Sequence, residues 1–175
     1  SLPHIPTITF RGEMNEDLIQ TIFKLNPKQE YIVKMSRGNG GIGVQLLRGA
    51  DSILSVLETF KALNDQKLLI QPYIEHQTEY RVFASKNKIY SIIEKKISKN
   101  DFRGNSKRSK GKLVKKLPQE LQAMTESILL KSDLEYMGID LMYANHRPYI
   151  LEVNGVPGFK QIEELSKINV ARELL

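Results

Sequence analysis

The sequence predicts an α+β fold with mostly antiparallel sheet pairing, and three observations carry that expectation. Two pairs of strand-like runs, YRVFA with KIYSIIEKK and GIDLMY with YILEVN, are each joined by a link short enough for a hairpin. The glycine run RGNGGIG lies between the strand-like YIV and the short VQLL. Three further stretches repeat apolar residues at helical spacing.

In chain order, the proline-bearing lead-in SLPHIPTITF gives way to NEDLIQTIFKL, where Asn15 is a suitable N-cap and Leu18, Ile19, Ile22 and Phe23 form one stripe. Strand, glycine loop and strand follow. Asp51 then caps a second helix, in which Ile53, Leu54, Leu57 and Phe60 recur at helical spacing. The first 67 residues thus read helix, hairpin, helix, with no strand assigned to the lead-in. LLIQPYI is a buried strand with Pro72 near its end, and YRVFA and KIYSIIEKK turn at Lys86-Asn87. A basic loop closes this unit. Pro118 suits the first turn of a third helix with Leu121, Met124, Ile128 and Leu129 facing a core. GIDLMY and YILEVN flank ANHRP, and the turn GVPG leads to a short helical tail. The natural lobe boundary lies near Gln71 to Ile74.

Composition bounds the function. A chain of 175 residues buries one good core or two small lobes, and no apolar run approaches the roughly 20 residues of a membrane span. Without cysteine there is no disulfide, thiolate metal site or cysteine nucleophile, and a cytoplasmic location is expected in the absence of a charged-then-apolar leader. The net charge of +6 is unevenly placed: from Lys86 to Lys116, Glu94 and Asp101 are the only acids among many lysines and arginines. Such a patch suits an anionic small ligand or acidic peptide. It lacks the regular aromatic interleaving of a nucleic-acid surface, so nucleic acid is not the expected partner.

Gly38, Gly40 and Gly43 match the dinucleotide pattern G-x-G-x-x-G, but that device needs a helix directly after the glycines. Here Arg48-Gly49 ends the run after VQLL, leaving strand, loop, strand. A glycine hairpin that brings backbone N–H groups against a phosphate chain is the alternative, with Lys34 as a compact charge at its base.

The hairpin GIDLMYANHRPYILEVNG holds the densest chemistry. Centred on His146, it opposes Tyr143 to Tyr149, Met142 to Ile150 and Asp140 to Glu152, and period-two alternation adds Asn154 to the carboxylate face. Leu141, Leu151 and Val153 then turn to the core. Two carboxylates and an amide, without cysteine or convergent histidines, are hard oxygen ligands suited to Mg2+. Arg103 in DFRGN can grip a phosphoryl oxygen bidentately and Asn105 can meet a developing oxyanion.

In this order, IVKMSRGNGGIGV, LIQPYI, EYRVF, DFRGN and GIDLM with ILEVNGVPG, then IEELSKINVA, the chain resembles the ATP-grasp superfamily over nearly its whole length. Within that superfamily it is similar to the RimK-type ligases that add glutamate to protein or peptide carboxyl ends. The resemblance implies an ATP-grasp fold of two α+β lobes gripping ATP between them, the smaller over 1–72 with the lid and the larger over 73–175 with the catalytic residues. It makes Lys34 a phosphate ligand and Gly38, Gly40, Gly41 and Gly43 a lid. It gives adenine to the hinge of Gln71, Pro72, Tyr73 and Ile74, chiefly the backbone at Pro72 and Tyr73, and the ribose hydroxyls to Glu79. Arg103 and Asn105 become nucleotide and transition-state contacts, Arg81 a carboxylate or acyl-phosphate contact, and Asp140, Glu152 and Asn154 ligands of Mg2+ or Mn2+. The implied reaction passes the γ-phosphoryl of ATP to a carboxylate, and an amino-acid amine then displaces phosphate to leave an amide.

The resembling proteins carry a further N-terminal domain and a second phosphate-binding lysine upstream of the P-x-x-T segment at Pro6, so this chain is expected to be the ATP-grasp portion of a longer protein, open to homo-oligomerisation. They also continue past F-R-x-N into paired glycines, where this chain reads NSKRSKGKL; that loop borders the acceptor. A ligase of a small-molecule carboxylate, a kinase-like phosphotransferase and a basic nucleic-acid module are the alternatives. The phosphotransferase lacks HRD and DFG after the glycine loop.

Overall fold

The protein's structure, a computed structural model, describes residues 2–37, 41–64, 67–98, 101–103 and 111–173. Gly38, Gly40 and Asn105, together with Lys99, Lys107, Arg108 and Lys110 of the basic run, lie outside the described residues. The chain divides into two compact units: one is Ile5–Ile74, and the other comprises residues 2–4, 75–103 and 111–173.

The first unit contains β1 (Ile8–Arg11), α1 (Glu16–Phe23), β2 (Glu30–Met35), β3 (Gln45–Arg48), α2 (Ala50–Asn64) and β4 (Lys67–Pro72). Its sheet has the order β1-β4-β2-β3 and is antiparallel throughout. Alternation along β2 sends Tyr31 and Val33 into a core with Phe10, Ile22, Ile53, Leu57, Leu68 and Ile70, so α1 and α2 cover that face and Lys34 belongs to the other. Asn15 caps α1 by accepting from the Leu18 N–H at 2.9 Å. The second helix starts at Ala50, one residue before the expected cap: Gly49 (φ 82°) makes the turn and Asp51 sits in the first turn, facing the positive end of the helix dipole. β1 has no counterpart in the sequence reading. It is four residues between Pro6 and Gly12, and its pairing with β4 is supplied from about sixty residues downstream, as in the Ile8–Ile70 partnership.

The second unit contains β5 (Thr78–Ser85), β6 (Lys88–Lys96), β7 (Gly111–Leu113), α3 (Gln119–Lys131), β8 (Tyr136–Ala144), β9 (Arg147–Asn154), α4 (Lys160–Ser166) and α5 (Val170–Glu173). Its antiparallel sheet runs β7-β6-β5-β8-β9. One face packs Val82, Ile92, Met137, Ile139 and Leu141 against Leu121, Met124, Ile128 and Leu129 of α3. Pro118 is the N-cap of α3 rather than a residue of its first turn. On the opposite face Phe83 and Ile93 pack with Ile162 of α4 and Val170 of α5. β7 falls in the basic run, where lysines give no strand signal; its pairing with β6 makes it a strand. Near the start of the chain, the Ile150 N–H donates to the Pro3 carbonyl at 3.3 Å, and Leu2 packs on the α3 core. No helix among the described residues is long and apolar enough to cross a membrane.

The β8–β9 hairpin corrects the sequence reading. Its turn is the two-residue Asn145-His146, with φ of 50° and 58°, as a primed turn demands. Tyr143 therefore faces Pro148 and Met142 faces Tyr149, each one residue off the expectation of a centre at His146. A bulge then adds one residue on β9: Leu141 pairs with Ile150 while Asp140 pairs with Glu152. Without it Ile150 and Glu152, two apart, would share a face. With it Ile150 packs on the α3 core and Glu152 joins the face of Asp140. Val153, expected in the core, is 39% exposed because β9 is the edge strand.

Candidate active site

Strand alternation places Glu79 and Arg81 of β5 on the face that carries Phe83, and register sets Lys95 of β6 opposite Glu79 and Asp140 of β8 opposite Arg81. One end of this face is apolar under α4 and α5; the other is a cluster of charge. Arg81 grips Asp140 bidentately, Nε to Oδ1 at 2.8 Å and Nη2 to Oδ2 at 2.6 Å. The Asp140 side chain is only 5% exposed, so a carboxylate without this partner would be costly to bury. Burial by itself lowers the Arg81 pKa, yet the hydrogen bond and charge of Asp140, with Glu152 and Glu79 behind it, raise it overall. Lys95 goes the other way: burial first, and then the charge of Arg81, hold its pKa below the usual lysine range against the pull of Asp140 and Glu79. Glu79 is held by His76, whose Nε2 lies 3.0 Å from Glu79 Oε1.

Asp140 and Glu152 are cross-strand partners, and Asn154 follows opposite Gly138. The donor set fits a hard divalent cation. Asp140 is a carboxylate at the centre of this face, Glu152 is exposed, and the Asn154 carbonyl oxygen, which accepts the Val156 N–H at 2.9 Å, has a second lone pair. Among the described residues no three histidines, cysteines or carboxylates converge, so any such ion would rest on two carboxylates and one amide.

The remaining sequence-predicted residues are placed as follows. Lys34, Gly41, Gly43 and the hinge Gln71, Pro72, Tyr73 and Ile74 belong to the first unit; Glu79, Arg81, Arg103, Asp140, Glu152 and Asn154 belong to the second. Gly41 and Gly43 both have φ of 73°, a conformation other residues adopt at a cost. In the hinge the Tyr73 N–H donates to the Glu30 carbonyl at 2.7 Å, and its carbonyl accepts from Gln29 Nε2 at 2.8 Å. Both backbone groups of Tyr73 are thus directed to the β2 side. Gln71 donates from Nε2 to the Thr7 hydroxyl at 2.8 Å. Arg103 is paired with its neighbour Asp101, Nε to Oδ1 at 2.8 Å and Nη2 to Oδ2 at 3.0 Å.

His76, Lys95 as a buried cation, Gln29 and the Asp101–Arg103 pair all escaped the sequence reading. His76 and Glu79 are three apart outside any helix, a spacing without a signature; Lys95 was hidden among surface lysines and is exposed as a buried group only by the register of β6.

Comparisons with known proteins bear on the fold and the family. A solved D-alanine–D-alanine ligase of Bacillus anthracis, complexed with ATP, has the same fold with a TM-score of 0.67 and 23% identity, covering 98% of this chain and 56% of that one. A probable alpha-L-glutamate ligase of Legionella pneumophila (strain Corby) is 31% identical over 147 residues, 82% of this chain and 48% of that protein. The ribosomal protein bS6–L-glutamate ligase of Escherichia coli O81 (strain ED1a) is 30% identical over 147 residues, again 82% and 48%. The chain spans about half the length of the curated relatives it matches. With the family model of the RimK-like ATP-grasp domain matching residues 5–175, and with two antiparallel α+β units carrying the ordered motifs, the chain belongs to the RimK-like ATP-grasp family.

Proposed function

We propose that the protein is an ATP-dependent carboxylate–amine ligase that works through an acyl phosphate, releases ADP and phosphate, and adds glutamate or another amino acid to a peptide or protein carboxyl end. The observation that carries this reading is the single sheet face on which Arg81, Asp140 and Glu152 meet, a guanidinium beside paired carboxylates. Membership of the family, and the glutamate ligases named among the relatives, support it.

In this reading the first unit binds nucleotide. Lys34 and the glycines at 38–43 meet the phosphates through a point charge and backbone N–H groups. Because Tyr73 turns both backbone groups toward β2, alternation along the strand gives adenine to the Pro72 carbonyl, with Gln71 and Ile74 beside it. In the second unit Asp140, Glu152 and Asn154 would hold Mg2+ or Mn2+, which neutralises phosphate oxygens when bound. Nε and Nη2 of Arg81 are bonded to Asp140, so its Nη1 would be the donor to an oxygen of the carboxylate or acyl phosphate. Arg103 and Asn105 would contact the transferred phosphoryl group, Arg103 after exchanging Asp101 for phosphate. Attack by the amine on the acyl carbon expels phosphate, and holding both reactants in line supplies much of the rate. An acidic acceptor or amino acid suits the cationic Lys86 to Lys116 segment.

The test supplies the full-length protein with ATP, Mg2+ and a panel of amino acids and acidic peptides. ADP and phosphate release with a matching mass gain on the acceptor is the expected result; a phosphorylated acceptor without amide overturns it. Glu152→Gln is expected to lower kcat/KM on the order of hundredfold, the scale for losing one preorganised electrostatic partner, and near-normal turnover would refute the site.

A further inference from the structure

We propose that the outer edge of β7 is the docking strand for the acceptor: an acidic peptide or protein segment adds to the sheet there as one more strand, and its carboxyl end reaches across the face to Arg81; this rests on the ligase reading above. Among the described strands β7 is the last of its sheet and pairs only with β6. The Val114 N–H donates to the Ile92 carbonyl at 3.0 Å, and the next residue back, Leu113, stands opposite Ile93. Bonded and non-bonded pairs alternate in an antiparallel ladder, so Leu113 and Gly111 direct their N–H and C=O groups away from β6. Such a row of backbone groups is a template for a further strand. Gly111 lets β7 lie this close to the sheet, since a side chain there would collide with Ile93.

The charge along this edge selects the occupant. Lys112, Lys115 and Lys116 are exposed, and no acid lies between Gly111 and Leu117. Lys112 meets Glu94 at 3.1 Å but keeps 65% of its side chain in water. Lysines along an edge deter basic and apolar strands, and the same charges attract an acidic one. Leu113, 42% exposed, offers such a segment an apolar contact. Register then ties docking to chemistry, because one row of cross-strand partners runs from Leu113 through Ile93 and Arg81 to Asp140 and Glu152. With strands about 4.8 Å apart, an added strand lies roughly 14 Å from β5, a span that about four or five extended residues cover. Together with the 3 residues that match β7, this makes an acceptor of about eight residues.

Fluorescence anisotropy of a labelled, glutamate-rich peptide of about eight residues, measured on the full-length protein without nucleotide, tests the docking strand independently of turnover. Leu113→Pro removes the outward N–H and no bond to β6, and is expected to weaken binding about tenfold; Leu113→Ala, which keeps that N–H, is expected to change it by less than about threefold. Lys115→Ser combined with Lys116→Ser is expected to weaken binding at low salt and to flatten its salt dependence. In the native protein, hydrogen exchange at the Leu113 amide is expected to slow when the peptide binds, and this measurement decides the matter if Leu113→Pro does not fold. Unchanged affinity in Leu113→Pro, an unprotected Leu113 amide, or equal binding of a single-stranded oligonucleotide of matched charge would show attraction by charge alone and overturn the proposal. With ATP and Mg2+ added, kcat/KM is expected to rise about tenfold or more as the acceptor lengthens from about three to about eight residues. Ligation indifferent to acceptor length overturns the proposal and leaves the ligase reading intact. Peptide binding that protects the Leu113 amide, with no ligation of any acceptor, upholds the docking strand and overturns the ligase reading.

Discussion

Ser91, Ile93 and Lys95 are successive residues of one face of β6, and they show how much a single strand position decides. Ile93 is buried in the core under α4 and α5, whereas the Ser91 hydroxyl is buried with no hydrogen-bond partner among the described residues. Ser91→Ala removes an unsatisfied group at almost no loss of volume. We expect it to be neutral or stabilising by up to about 1 kcal/mol in urea denaturation; clear destabilisation would show a partner for the hydroxyl. Lys95 is the costlier case. Its pKa is lowered from 10.5, so between the depressed value and 10.5 the unfolded chain binds more protons and stability rises with pH. Tyr80 and Tyr143, raised from 10.0, act in the opposite sense, and comparison with a variant lacking only Lys95 isolates its contribution. In metal-free buffer, the stability of the native protein relative to Lys95→Met is therefore expected to climb as pH is raised toward 10.5, and a pH-independent difference would refute the assignment.

At the scale of elements, the β8–β9 hairpin is where sequence reasoning reached the right carboxylate pair through a wrong register. Parity about His146 opposes Asp140 to Glu152, but the strands turn one residue earlier and the bulge beyond Ile150 restores the count. A hydrophobic pattern cannot reveal a compensating bulge, because both registers place an apolar residue on the core at some positions. Gly138, opposite Asn154, is the second device in this element: a Cβ there would lie 2.7 Å from the Pro157 Cβ, so the glycine lets the GVPG turn fold back on β8. Gly138→Ala must move Pro157, and with it the turn that the Asn154 amide organises. We expect a destabilisation of roughly 1–3 kcal/mol together with weakened metal-dependent nucleotide binding; an unaltered binding isotherm would separate the turn from the site. The helices were the easier elements, since α1 and α3 each carry their own cap signal and stripe, whereas β1 and β7 exist only through partners remote in sequence.

Over the whole molecule, apolar burial falls into separate cores, one closed by Phe10, Val33, Leu57 and Leu68 and another by Val82, Leu121, Ile139 and Leu141. A core truncation should act on the unit that holds it. Leu57→Ala, at a site with 0% exposure, is expected to cost about 2–5 kcal/mol and to raise amide exchange in β2 and β4. Ile139→Ala, equally buried, is expected to raise exchange in β5 and β8 instead. Uniform loss of protection across both units from either variant would show that the chain unfolds as one cooperative body.

The sequence by itself determined the antiparallel α+β class, three of the helices, the strand-loop-strand form of the glycine segment and the family, because these rest on local period, capping and the order of short motifs. Tertiary structure alone decided which charges are buried together: Arg81 against Asp140, His76 against Glu79, and Lys95 opposite Glu79. Spacing along a chain says which face a strand residue takes, but which residues meet across strands is set by register, and register here depends on a turn, a bulge and partners far away in sequence.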